Sequence, residues 1–320
     1  MLAIRIHEFG GPEVMRLEEV PELAPESGQI LISVKAVGVN PVDTYERSGA
    51  HYRPELPFTP GRDAAGVVSS VGKGVAVFKP RDRVYISSSL SGTYAEAALS
   101  AEADVHPLPK GISFEQGAAL GVPYATAHRA LFDKARAVRG ETVLVHGASG
   151  GVGIAAVQLA LAAGLKVLGT AGSPRGRELL AQQGAVQIFD HRQSGYAQRI
   201  LEATGGRGVD VILEMLANAN LATDLSLAAK FGRIVVIGSR GVTQVDPRDS
   251  MTKDISVMGM VVMNTPAEEL RRIHEELQAG LASGTLRPVI AQSLPLREAA
   301  EAHRAVMAPG AAGKIVLIPS

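Results

Sequence analysis

Apolar and polar positions alternate along Gln29-Ile-Leu-Ile-Ser-Val-Lys-Ala-Val37 and again along Gly66-Val-Val-Ser-Ser-Val71. That period of two predicts strands with one buried face. Prolines at 41, 54, 57, 60, 80, 107, 109 and 123 punctuate this part of the chain and argue against long helices in it. A β-rich unit is expected. From Glu141 onward, continuous apolar runs alternate with helix-length segments rich in Ala and Leu. Runs at 142–146, 166–170, 186–189, 209–213, 233–238 and 255–263 predict strands; 152–163, 174–183, 195–203 and 221–229 predict helices. Six strands with crossover helices imply a doubly wound parallel sheet of the α/β class. Thr265-Pro-Ala-Glu268 then opens a helix with Leu270, Ile273 and Leu277 on one face. A further helix near 297–307 and a strand, Lys314-Ile-Val-Leu-Ile318, complete the pattern.

The densest motif lies where the first of these strands meets its helix. Gly147, Gly150 and Gly153 stand at G-x-x-G-x-x-G spacing. A tight turn, close approach to a pyrophosphate and close helix–strand packing each favour a residue without a side chain. Strand before and helix after make this a dinucleotide fingerprint and the sheet a Rossmann fold. Gly147-Ala-Ser149-Gly-Gly151 also matches G-x-S-x-G, a nucleophile elbow, for which His303 would be the base. No oxyanion loop precedes it, and the elbow does not require Gly153. The dinucleotide reading is therefore preferred. After the second strand no carboxylate occurs before Glu178, and small residues flank Arg175 and Arg177. This composition suits a 2′-phosphate, hence NADPH rather than NADH. The rival reading leaves both arginines as solvated residues of a helix start.

Composition narrows the remaining classes. The 320 residues carry 32 Lys plus Arg against 32 Asp plus Glu, which disfavours nucleic acid as the main partner. The absence of cysteine removes disulfides, iron–sulfur clusters, thiol catalysis and thiolate zinc sites. The eight histidines show no ligand spacing, so no metal is expected, and His146 reads as a packed strand-end residue. The apolar stretch 154–165 is too short to span a bilayer, and charges near Met1 do not suit a signal peptide. A cytoplasmic protein is expected.

Several segments together resemble one family. These are Val39-Asn40-Pro41-Val42-Asp43-Thr44-Tyr45, Leu56-Pro-Phe-Thr-Pro60-Gly61-Arg62-Asp63, His146-Gly-Ala-Ser-Gly-Gly-Val-Gly153, Glu214-Met-Leu-Ala-Asn218-Ala-Asn220 and Gly238-Ser-Arg240-Gly241. They are similar to the zeta-crystallin-like NADPH:quinone oxidoreductases, zinc-free members of the medium-chain dehydrogenase/reductase superfamily. The resemblance implies a β-barrel-like catalytic domain at 1–121, completed by 262–320, and a dinucleotide domain at 122–261. It also implies that the reaction cleft lies at the switch point of the sheet. By resemblance the cofactor meets Tyr45, Thr126, Ser149, Gly150, Gly151, Val152, Gly172, His191 and Asn220. It further meets Gly238, Ser239, Arg240, Gly241, Val261, Val262 and Met263, with Lys314 either near it or capping the last strand. Asn40, Asp43 and Tyr45 are the expected catalytic residues, and a quinone or similar conjugated carbonyl is the implied substrate. Reduction of enone C=C bonds, or an RNA-binding or structural role, are the alternatives that the resemblance carries. The run 255–263 would be an apolar sheet edge, and relatives pair such edges into a homodimer, or further into a tetramer.

The sequence also departs from its relatives. Gly61-Arg62-Asp63 stands where zinc dehydrogenases carry a ligand histidine before glutamate. Arg81 replaces a turn glycine, which is free of strain only at negative φ.

Overall fold

The computed structural model describes residues 1–50, 53–184 and 187–319. Val186, the first residue of the third expected strand, lies outside them. The chain forms two compact units. One comprises Met1–Val122, His274–Ala308 and Gly313–Ser320; the other comprises Pro123–Ile273 and Pro309–Ala312.

The first unit begins with β1 (Leu2–Ile6), β2 (Met15–Glu19) and β3 (Gln29–Gly38). It continues through α1 (Pro41–Ser48), β4 (Asp63–Val71), β5 (Arg83–Ile86), β6 (Ala97–Ala101), β7 (Val105–Pro107) and α2 (Phe114–Gly117). β3 organises the sheet. It runs antiparallel to β4 over its length, while its first half also pairs with β6 on its other side. Ile30, Ile32 and Val34 are buried with Val84, Ile86 and Leu317, as the alternation predicts, and beyond a register shift Val37 joins the same cluster. Register shifts at Leu31/Ile32 and Val34/Ala36 bend the pair, giving the barrel-like curvature. Pro41 occupies the first turn of α1, where its missing N–H costs no helical bond, so it starts a helix instead of stopping one.

Arg81 has φ +80° in the turn Lys79-Pro-Arg-Asp82, closed by Asp82 N–H donating to the Lys79 carbonyl at 3.2 Å. The turn thus keeps a glycine-like shape. The arginine adopts it at a cost of about 1–3 kcal/mol of local strain.

The second unit holds most of α3 (Gly121–His128), which runs on as a π-helix (Arg129–Lys134). The sequence pattern did not predict this segment. Pro123 is tolerated because it lies in the first helical turn. Then follow β8 (Thr142–Val145), α4 (Gly151–Ala162), β9 (Lys166–Thr170), α5 (Pro174–Gln182), β10 (Gln187–Phe189) and α6 (Tyr196–Ala203). β11 (Val209–Glu214), α7 (Ala217–Leu227), β12 (Ala228–Val236), α8 (Pro247–Met251) and β13 (Ser256–Gly259) complete the sheet. Among the described residues its order is β10-β9-β8-β11-β12-β13, parallel throughout, and reverses direction at β8. The crevice of such a sheet lies beyond the carboxyl end of that strand.

The expected strand 255–263 is shorter than the sequence suggests. Gly259 pairs with Val236, the last residue of β12; Met260 N–H still donates to the Val236 carbonyl (3.1 Å), and the chain then turns into a 3₁₀ helix, Val262–Asn264.

The remaining elements are α9 (Ala267–Ala282), β14 (Ile290–Pro295), α10 (Ala299–Met307) and β15 (Lys314–Ile318). The return to the first unit comes at His274, inside α9, and not at 262 as expected. Arg129 explains the delay. It donates to the carbonyls of Val261 (2.9 Å) and Asn264 (3.4 Å) and pairs with Glu269 (2.8 Å), fastening this stretch to the second unit.

Candidate active site

β8 delivers the chain into Gly147, whose φ of +56° is a conformation that suits glycine. Gly150 N–H donates back to the Gly147 carbonyl (3.0 Å), and the first helical bond of α4 runs from Ile154 to Gly150 (2.8 Å). The amides of Gly151, Val152 and Gly153 therefore have no helical acceptor. Together with the helix dipole they form a cradle for a phosphate. A Cβ on Gly153 would stand 2.4 Å from the Gly147 carbonyl oxygen. Only glycine allows α4 to pass so close to the turn. Ser149 is buried, and its hydroxyl donates to the Ala311 carbonyl at 2.6 Å. His303, the base that a nucleophile elbow would need, contacts the Tyr94 hydroxyl at 3.0 Å. The elbow reading has no support in this geometry.

The neighbouring strand end gathers a second group of the expected site residues. Past β9, Gly172 lies against the side chains that follow β10. A Cβ there would sit 2.7 Å from Arg192 Nε and 2.8 Å from His191 Nε2. Ser173 caps α5 by accepting from Gly176 N–H (3.1 Å). Arg177 is engaged by Asp190 (2.7 Å), whose other oxygen accepts from Arg192 N–H (3.0 Å). Of the arginines at this corner, Arg175 and Arg177 were anticipated and Arg192 was not. Nothing local in the sequence joins 172 to 192; parallel pairing of β9 with β10 does so.

Loops after β11 and β12 interlock. Ala217 N–H donates to Gly238 O (2.9 Å), and Arg240 N–H to Asn218 Oδ1 (2.8 Å). Ser239 Oγ donates to Gly241 O (2.9 Å), and Asn220 Nδ2 donates to Glu214 Oε1 (3.1 Å). Val261, Val262 and Met263 follow β13, and Thr126 is buried on α3. Apart from Tyr45 and Lys314, the residues expected at the cofactor all belong to this unit.

In the first unit a buried polar network surrounds the start of α1. Asp43 Oδ2 accepts from Asn40 N–H (2.8 Å) and from the Tyr94 hydroxyl (3.0 Å). Asn40 Nδ2 donates to Asp63 Oδ2 (2.9 Å), Lys314 Nζ donates to Asn40 Oδ1 (2.5 Å), and Lys314 pairs with Asp63 (3.3 Å). Val122 N–H donates to the other Asp63 oxygen (2.8 Å). Burial pushes the Lys314 ammonium down and the Asp63 carboxyl up; their contact opposes both shifts. Burial raises Asp43 to about 7, against the Asn40 N–H bond. Asn40 and Asp43 thus have their polar atoms turned into the protein, and of the three expected catalytic residues only Tyr45 is half-buried. Lys314 is an ion-pair partner inside the fold.

Arg62 and Asp63, which by the resemblance stand where zinc dehydrogenases carry a ligand histidine before glutamate, are both held in charge pairs. Arg62 bonds Glu46 (2.6 Å) and Asp63 bonds Lys314, an arrangement without a neutral imidazole or thiolate. Elsewhere, folding joins His146 to two carboxylates, Glu214 and Asp224, with ligand-type atoms within 4.8 Å of one another. Asp224 is 78 residues from His146, which is why histidine spacing gave no hint of the cluster.

The chain matches the alcohol dehydrogenase GroES-like domain family over residues 26–110 and the zinc-binding dehydrogenase family over 151–279. It is 52% identical over 321 residues to the quinone oxidoreductase of Rattus norvegicus, covering 99% of this chain and 98% of that one. Identity to the Homo sapiens quinone oxidoreductase is 49%, with the same coverage. Among solved structures, Escherichia coli quinone oxidoreductase complexed with NADPH aligns at a TM-score of 0.90 and 33% identity over 100% of both chains. A mycobacterial protein complexed with NADPH aligns at 0.93 and 31%, also over 100% of both. On this evidence the chain belongs to the quinone oxidoreductase family, the zeta-crystallin group of the medium-chain dehydrogenase/reductase superfamily.

Proposed function

We propose that this protein is an NADPH-dependent quinone reductase that works without a metal. The observation that carries this reading is the cradle of unbonded amides at Gly151, Val152 and Gly153, together with Gly172 past β9 lying against Arg192 past β10. The quinone oxidoreductase relatives, one solved with NADPH, support it. When bound, NADPH supplies the reducing equivalents, and the protein supplies position and hydrogen bonds. Backbone amides of α4 hold the pyrophosphate. Gly172 leaves room for the ribose, and Arg192 with Arg175 and Arg177 faces the 2′-phosphate, since the Asp190 carboxylate is already satisfied. Val261, Val262 and Met263 border the nicotinamide. Tyr45 offers its hydroxyl to charge developing on the quinone oxygen, while Asn40 and Asp43 act as positioning residues that fix the first turn of α1.

Titration with both cofactors tests the assignment. NADPH is expected to bind more tightly than NADH. Arg192→Ala should weaken NADPH by about 1.5–3 kcal/mol, the range for a charged hydrogen bond, and leave NADH unchanged. Equal affinities in the wild type would refute the reading.

The proposal extends to assembly. β13 is an edge of the sheet, with Val257 45% exposed, followed by Val261 at 47% and Met263 at 44%. An apolar edge with unpaired amides invites a strand, and two such edges related by a two-fold axis close on each other. We expect a homodimer, or a tetramer of two dimers, by light scattering, and a monomer for Val257→Lys. A wild-type monomer at micromolar concentration would contradict it. Among the described residues no helix is long and apolar enough to cross a membrane. A cytoplasmic location suits a cysteine-free enzyme drawing on NADPH.

A further inference from the structure

Directly behind the glycine turn lies a group of buried polar side chains that the proposed reduction does not use. His146, at the end of β8, points Nε2 at Asp224 Oδ1 on α7 (2.8 Å) and lies 3.7 Å from Glu214 Oε2 at the end of β11. Its Nδ1 lies 3.3 Å from Thr170 Oγ1, which also accepts from Gly147 N–H (3.1 Å). Thr170 therefore has its own proton to give to Nδ1, and the Nε2–H tautomer of His146 donates to Asp224. Glu214 Oε1 accepts from Leu216 N–H and from Asn220 Nδ2 (3.1 Å), and the Glu214 carbonyl accepts from Ile237 N–H (2.8 Å). One node thus ties together the loops after β8, β11 and β12.

Two oxygens in it are left over. Asp224 Oδ2 and Glu214 Oε2 are buried without a hydrogen-bond partner. Two ionised carboxylates in a dry site repel each other strongly; one proton between them satisfies both orphan oxygens and removes a charge.

We propose that Glu214 and Asp224 share one proton beneath the dinucleotide turn, that they are positioning residues for the cofactor, and that loss of this proton weakens NADPH binding. The proposal rests on the NADPH reading given above. With the proton in place and His146 neutral, the node carries one negative charge; without it, two, and His146 directly precedes Gly147, the first glycine of the turn. The extra charge opposes an anionic ligand and strains the hydrogen bonds that set the loops. Burial raises both carboxyls to about 7, so the change falls within the working range of pH. By linkage the bound state holds the proton more tightly than the free state. NADPH affinity is then constant below about pH 7 and falls above it, by up to tenfold per pH unit.

Other titrating groups do not reproduce this. Burial lowers His146 and His191, and burial raises Tyr196 on α6, so all three keep their charge state between about pH 7 and 9. The charged residues on the neighbouring elements, Arg199 and Glu202 of α6, Lys230 and Arg233 of β12, Arg248 and Asp249 of α8, are exposed or only partly buried. The 2′-phosphate of NADPH titrates near pH 6 (about 6 for such monoesters) and contributes equally to wild type and variants.

Asp224→Asn is the decisive variant, because its amide hydrogen replaces the shared proton and holds the node at one negative charge. NADPH dissociation constants should rise severalfold from pH 7 to 8.5 in the wild type and stay at the wild-type low-pH value in the variant. Calorimetry in two buffers of different ionisation enthalpy should find proton uptake on binding at pH 8 in the wild type alone. In the cofactor-free protein, the infrared difference between wild type and Asp224→Asn, in which the Asp43 carboxyl cancels, should contain a protonated-carboxyl band that titrates near 7. Should that variant not fold, Glu214→Gln carries the same expectations. Parallel pH profiles, an absent carboxyl band, or stoichiometric zinc retained at His146 would overturn the proposal. Failure to bind NADPH at any pH would overturn the cofactor reading and the coupling together, and the infrared band would still decide the shared proton.

Discussion

Lys314→Met should destabilise the protein by about 3–5 kcal/mol at pH 7, the cost of leaving one partner of a buried ion pair alone. Lys314 on β15 reaches Asp63 on β4 and Asn40 at the head of α1, joining segments 251 and 274 residues apart. The methionine fills the volume of the methylene stem but not the charge. Asp63 would remain buried with only the Asn40 amide and the Val122 N–H to stabilise it. Its carboxyl, already raised by burial, would lose the opposing pull of the ammonium and rise further. A group whose folded pKa is raised favours the protonated native state, so the penalty should shrink as pH falls through that pKa toward about 4, where the unfolded carboxyl titrates. Urea unfolding at pH 7 and at pH 5 measures both effects. The double variant Asp63→Asn with Lys314→Met should recover part of the loss, since the stranded charge is gone. A cost below about 1 kcal/mol, or one that is flat with pH, would show that water reaches the pair.

These long-range pairs also mark where sequence reading stopped. The strand β8, the glycine turn and α4 were legible because all their determinants are local: an apolar run, glycines at fixed spacing and an Ala-rich helix. The same motif could not tell a dinucleotide turn from a nucleophile elbow. That question turns on the Ala311 carbonyl, 162 residues from Ser149, which accepts a hydrogen bond from the serine hydroxyl. The resemblance implies Asn40 and Asp43 as catalytic residues; their orientation depends on Asp63, Tyr94 and Lys314, which no local pattern connects to them. The helix α3 was missed for a different reason. Pro123 was counted as a breaker, whereas its place in the first turn makes it harmless. One signal was available and unused. Glu214 ends the strand Val209-Asp-Val-Ile-Leu-Glu214, whose other buried residues are all apolar, and a carboxylate in that position calls for a partner.

Gly153→Ala should damage both fold and cofactor binding, whereas Gly150→Ala should damage binding alone. The two glycines serve one turn but face different surroundings. A methyl at Gly153 would lie 2.4 Å from the Gly147 carbonyl oxygen and 2.6 Å from backbone atoms of Ala148. Backbone cannot rotate aside as a side chain can, so α4 must shift away from the turn, at about 1–3 kcal/mol for overpacking. The shift also moves the amides of the first helical turn, and NADPH affinity should drop at least about tenfold, or 1.4 kcal/mol. A methyl at Gly150 meets the Gly147 oxygen at 3.4 Å and Ala311 Cβ at 3.8 Å, and the backbone there is extended, with φ −78° and ψ 176°. The fold should accept it within about 0.5 kcal/mol. Its methyl stands at the mouth of the amide cradle, where a pyrophosphate must come close to the backbone, so affinity should still fall. Thermal unfolding without cofactor and NADPH titration of both variants separate the two effects. If Gly150→Ala binds NADPH as well as the wild type does, the pyrophosphate does not approach through Gly150, and the cradle at α4 is not its seat.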